Sequence, residues 1–120
     1  YGTQSDVRLV IGDDSGTKPI RSALQTCQPG YDVPVHSHPY TEFLIVLAGW
    51  AELRIETAEG LQTLVARTGD MVEIQPGTWH GFTTATNTVT QVLGIHISPH
   101  RIVNYKPGVK TDARGFRIKE

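Results

Sequence analysis

Proline or glycine interrupts this chain about every 8 to 15 residues, and no segment keeps a helical period over ten or more residues. Intervals of that length hold short strands and tight turns, so the chain reads as an antiparallel sandwich or barrel. Val7 to Ile11 is β-branched and closes on turn residues in GDDSGTKP. Residues 20 to 27 alternate, with Ile20, Ser22, Leu24 and Thr26 on one side and Arg21, Ala23, Gln25 and Cys27 on the other. Further strands are expected at 33–36, 42–47, 50–56, 61–66 and 71–74, after His80, and at 89–98. Residues 1–6 and 83–88 read as loose or loop segments. The expectation is six to eight or more strands and no helix longer than about two turns.

Within this pattern one stretch carries chemistry, GYDVPVHSHPYTEFLIVLAG from Gly30 to Gly49. His36, His38 and Glu42 are all even-numbered, so in an extended segment they share a face, unless a bulge or turn at Pro39 breaks the register. Two imidazoles and a carboxylate suit a divalent first-row metal. The alternative is a set of solvated side chains on loops and strand edges.

Composition bounds the rest. The chain has 120 residues, enough for one core, with 38% hydrophobic and 19% charged residues. A net charge of −1 offers no basic patch for a phosphate backbone, so no nucleic-acid partner is expected. The longest apolar run, Phe43 to Ala48, is strand-sized, and no membrane partner is expected. The single cysteine, Cys27, has no intramolecular partner and reads as a buried structural thiol. With no secretion signal visible, a reducing, cytoplasmic location is expected.

The stretch from Gly30 matches G-x5-H-x-H-x3-E-x6-G at every specified position, and so resembles the first signature motif of the cupins. GDMVEIQPGTWHGFTT resembles the second, G-x5-P-x-G-x2-H-x3-N, through Gly69, Gly77 and His80. Gln75 stands in place of the motif proline and Thr84 in place of its asparagine. The resemblance implies an all-β, double-stranded β-helix (jelly-roll) barrel over residues 1–120. Its metal motifs are at 30–49 and 69–84, and a polar C-terminal arm runs from 99 to 120. It implies a divalent metal (Fe, Mn, Ni, Co or Zn) held by His36, His38, Glu42 and His80. A homodimer is also expected, with Trp50 and the apolar residues of the arm covering sheet edges.

His96 falls opposite the apolar set Leu93, Ile95 and Ile97, facing either solvent or the barrel mouth. It is a candidate general acid or base, with an edge or interface histidine as the alternative. Tyr40, inside the first motif, is a second catalytic candidate that packing would equally explain. Glu73 and His100 read as surface residues, and Trp50 and Trp79 as core or interface packing. Three functions fit: a metal-dependent enzyme on a small organic substrate, a ligand-sensing module, and a storage barrel. A full ligand set favours the enzyme. Within that class a dioxygenase leads on the family's range, with a non-redox isomerase, lyase or decarboxylase as the alternative.

Overall fold

The computed structural model describes residues 5–13 and 15–111. Every regular element among them is a strand: β1 (Ser5–Ile11), β2 (Arg21–Cys27), β3 (Asp32–Ser37), β4 (Glu42–Ala48), β5 (Trp50–Thr57), β6 (Gly60–Arg67), β7 (Met71–Ile74), β8 (His80–Thr84), β9 (Thr90–His96) and β10 (Asn104–Tyr105). They form two five-stranded antiparallel sheets, a first in the order β1-β2-β9-β4-β7 and a second in the order β10-β3-β8-β5-β6. This is the jelly roll that the resemblance implies. Among the described residues no helix is long and apolar enough to cross a membrane.

The turn chemistry explains how consecutive strands change sheets. Between β4 and β5 the whole connection is Gly49, at φ 77°, where a Cβ would sit 2.5 Å from Thr90 Oγ1. Only glycine takes that conformation at that distance, so the motif glycine is what lets the chain drop from one sheet to the other.

Inward-facing side chains of β4 to β9 make the core: Leu44, Val46, Ala51, Leu53, Ala66, Ile74, Phe82 and Val92. Burying such side chains stabilises by about 1.5–3 kcal/mol each. Toward β1, β2, β3 and β10 the two sheets part around a cavity of about 580 Å³. The site lies where the core gives way to this cavity.

Two local readings change, and three others become specific. Ser5 and Asp6 belong to β1 and pair with Cys27 and Thr26, whereas residues 1–4 lie outside the described residues. Thr83 and Thr84 are part of β8, held on both sides by β3 and β5, because ladder bonds outweigh the polar composition that suggested a loop. Trp50 is half-buried on the face opposite the core residues Ala51 and Leu53. Trp79 lies under Lys106, whose Nζ is 3.9 Å from the ring centroid. Within the arm, β10 pairs through Asn104 and Tyr105 with Ser37 and His36 of its own barrel. Residues 112–120, including Phe116, lie outside the described residues.

Candidate metal centre

The first motif does not run as one extended strand. β3 ends at Ser37 in the second sheet and β4 begins at Glu42 in the first, with the turn His38–Thr41 crossing between them. Pro39 lacks an N–H and cannot continue a ladder, which ends β3 there. Shared parity is therefore not what aligns the three residues. They converge because the chain folds over from one sheet to the other, so that His36 and Glu42 approach from opposite walls. His80, at the start of β8, pairs directly with His36. The close approach of β3 and β8 depends on Gly81, where a Cβ would lie 2.6 Å from the Val33 carbonyl oxygen. The rings of His36 and His80 have centroids 4.3 Å apart.

His36, His38, Glu42 and His80 each direct one ligand atom into a group spanning no more than 4.8 Å. All four residues are buried or nearly so. The hydrogen bonds fix the histidine tautomers. Each Nδ1 donates to a backbone carbonyl: His36 to Pro34 at 2.8 Å, His38 to Ile102 at 2.7 Å, and His80 to Thr78 at 2.9 Å. A neutral imidazole that donates from Nδ1 presents a lone pair at Nε2. Glu42 Oε1 lies 3.2 Å from His38 Nε2 and 3.1 Å from His80 Nε2. The contact to His38 is close but poorly aimed, and His38 Nε2 is buried with no hydrogen-bond partner. Lone pairs and a carboxylate oxygen thus face one another in a buried space, an arrangement that calls for a positive charge among them. A divalent ion fits this donor set, and outer hydrogen bonds of this kind are what orient metal-bound histidines.

Burial, reinforced by the charge that would develop on neighbouring His80, pushes the His36 pKa down to about 3. The ring therefore stays neutral and ready to bind. Burial pushes the Glu42 carboxyl up, but the imidazoles of His38, His80 and His96 crowded around it outweigh this and hold it well below its usual range.

His96 faces the barrel interior. Its Nε2 lies 2.9 Å from Glu42 Oε2 and its Nδ1 2.6 Å from the Tyr40 hydroxyl. The hydroxyl in turn accepts from Ile102 N–H at 3.3 Å. The consistent assignment is a relay in which Ile102 N–H donates to Tyr40, Tyr40 O–H donates to His96, and His96 Nε2–H donates to Glu42. One carboxylate oxygen is thereby fixed, and the other is left for the three-histidine group. Burial raises the Tyr40 pKa to about 12.

All six candidate residues of the sequence thus meet in one place. Glu73 is exposed, accepting from Gln75 Nε2, and His100 is exposed as expected. Cys27 is fully buried, and burial pushes its thiol to about 11, as suits a structural cysteine. Sequence reasoning did not reach Ile102, whose peptide group serves both His38 and Tyr40, because backbone partners leave no side-chain signature. Nor did it reach Tyr105, which packs 5.9 Å from the His36 ring, or Arg21 and Arg101 on the cavity wall. The face shared by Arg21, Ala23 and Gln25 was legible, but its inward direction was not.

A family model described as "Cupin domain" matches residues 23–96. No curated protein matches the sequence. Among solved structures the fold is similar to an oxalate oxidase (TM-score 0.75, 20% identity, 97% of this chain and 62% of that one). It is equally similar to the oxalate decarboxylase of Bacillus subtilis, which has Mn(II) centres (TM-score 0.75, 22% identity, 88% and 29%). Peruvianin-I, a cysteine peptidase from Thevetia peruviana latex, shares the fold at 14% identity (TM-score 0.72, 88% and 68%). The chain spans less than two thirds of the oxalate oxidase it resembles. The matched segment covers more than half of the sequence and runs from β2 through Glu42 and His80 to His96, so this chain belongs to the cupin family.

Proposed function

We propose that the chain is a metal-dependent cupin enzyme acting on a small organic molecule, with His36, His38, Glu42 and His80 as the complete protein ligand set. The observation that carries this reading is the position of the four ligand atoms on the wall of a cavity of about 580 Å³. A purely structural metal site is closed, whereas this one borders space for a substrate. A bound divalent ion would supply Lewis acidity and open positions for substrate oxygens. The chain's own residues do the rest: the three Nδ1 hydrogen bonds orient the imidazoles, and His96 orients Glu42.

The reaction type we favour is an oxygen-dependent one, a dioxygenase on a diketone, catechol-like or thiol substrate, with iron or manganese as the ion. A second reading, a non-redox isomerase, lyase or decarboxylase, draws support from the Tyr40–His96 pair, which can hold and pass a proton at the cavity wall. We place the enzyme in the cytoplasm, on the strength of its lone thiol, as a homodimer. Metal analysis of the purified protein, followed by oxygen uptake against diketone, catechol, thiol and oxalate substrates, tests the proposal. Uptake with a diketone, catechol or thiol supports the dioxygenase, uptake with oxalate supports an oxidase instead, and product without uptake supports the non-redox reading. A protein that takes up no divalent ion defeats both.

A further inference from the structure

The cavity has two unlike ends. Across the first sheet one rung of directly paired residues reads Arg21, His96, Glu42, Ile74. Paired residues share a face, so the Arg21 side chain stands on the same wall as His96 and Glu42. Its Nη1 donates to the Asp13 carbonyl at 2.8 Å, which anchors the guanidinium at that wall. Arg101 precedes Ile102, the residue whose N–H reaches the Tyr40 hydroxyl, and it too lines the cavity. Both guanidiniums are close enough to Tyr40 to oppose the rise in its pKa. Among the described residues the acidic groups lining the cavity are Asp6 and Glu42, and the second already lies against three imidazoles. One rung further in, Ala23 pairs with Gly94, and Gly94 pairs with Leu44. Two small residues side by side leave a recess beside the metal group, and a Cβ on Gly94 would lie 3.3 Å from Glu42 Oε2. Beyond it the lining is mainly apolar, with Leu44, Phe82, Val92 and Val7. Its polar exception, Gln25 on the rung of Val7 and Val92, is tied up by donating from Nε2 to Ser5 Oγ at 2.9 Å.

We infer that the cavity takes a small amphipathic monocarboxylate, its carboxylate between Arg21 and Arg101 beside Glu42 and its apolar body over Ala23 and Gly94 toward Phe82. This deepens the proposed function, and it rests on that reading only in placing the substrate in this cavity. The planar guanidinium fork matches a carboxylate in geometry and charge. The volume exceeds what a two-carbon dianion fills, and the apolar end repels a second charge. Among the described residues no lysine lines the cavity to add charge for a phosphate dianion.

The test uses hexanoate, hexanamide, acetate and hexyl phosphate, titrated into the metal-free and the zinc-loaded protein and followed by backbone amide NMR shifts. Metal content is measured on the same samples. Hexanoate is expected to bind at least tenfold more tightly than hexanamide and than acetate, in both forms of the protein. Arg21→Gln and Arg101→Gln should each weaken hexanoate about tenfold and leave hexanamide unchanged, whereas Arg21→Lys, which keeps the charge, should lose less. Folding of each variant is read from its spectrum. The inference is overturned if hexanamide matches hexanoate, if hexyl phosphate binds more tightly, or if both glutamine variants keep full hexanoate affinity. The two proposals can fail separately. Zinc uptake without carboxylate preference removes this inference alone, and carboxylate preference without metal uptake removes the metal-centre reading alone.

Discussion

His96 Nε2 lies 2.9 Å from Glu42 Oε2, on a pair of residues that face each other directly across β9 and β4. His96 therefore controls the carboxylate without belonging to the four-residue group. Replacing it with alanine should lower metal affinity by about 10- to 100-fold, the usual effect of losing an outer partner of a ligand. Competition with a chelator of known affinity measures this. A change of less than twofold would mean that Glu42 is held by other means.

Tyr40→Phe removes the hydroxyl that donates to His96 Nδ1 and accepts from Ile102 N–H. Two partly buried polar groups lose their partner, at a cost of at most about 1–3 kcal/mol each where water does not replace it. The melting temperature of the metal-free protein should fall by several degrees, with metal affinity falling as His96 loosens. An unchanged melting curve would show that water takes the place of the hydroxyl.

His38→Ala and His80→Ala should each reduce bound divalent metal sharply, whereas His100→Ala, on an exposed residue outside the group, should retain it. Elemental analysis after dialysis against a metal buffer decides the matter. Metal retained by the His38→Ala/His80→Ala double variant would refute the ligand assignment.

The stability of the metal-free protein should depend on pH in a defined way. Folded His36 stays neutral down to about pH 3, while an unfolded histidine takes up its proton near 6.5. Below about 6.5 the unfolded chain binds more protons, so stability falls as pH drops toward 3. Glu42, held well below its ordinary value of 4.5, adds a loss in the same direction that starts near that pH. On the alkaline side Cys27 keeps its proton up to about 11 against an ordinary value of 9.0, so stability falls again between those limits. Urea titrations at pH 10, 8, 6, 5 and 4 should trace a dome, and a flat line from 7 to 4 would contradict the burial of a neutral His36.

The outer face of the first sheet is apolar. Phe43 pairs with Ile95, Ile45 with both Leu93 and Met71, and Met71 is 63% exposed. Such contiguous faces are uncommon on lone soluble chains. Light scattering should report twice the 13.2 kDa of one chain, and Ile95→Lys should reduce it to one. A single-chain mass for the unaltered protein at micromolar concentration would rule out the pairing. Of the arm's apolar residues, Tyr105 packs against His36 of its own barrel, Ile102 is exposed, and Phe116 lies outside the described residues.

Spacing alone determined much of this protein. Alternation in residues 50–56, the Gly49 step and the turns at Gly60, Gly69 and Gly77 follow from backbone sterics and period-two burial, which are local, and their strands stand close to where the pattern put them. The identities of His36, His38, Glu42 and His80 were equally legible, because two motifs carry them at set intervals. What the tertiary structure decided is how they meet. Parity put three of them on one face of an extended segment unless a turn at Pro39 intervened, and the fold takes the turn: β3 ends at Ser37, the chain crosses over through Pro39, and the residues arrive from two sheets. The direction of His96, open in the sequence between solvent and barrel, was decided by its register opposite Glu42. The part played by Ile102 rests on a peptide group brought back across more than sixty residues to His38 and Tyr40, and every residue type carries the same peptide group.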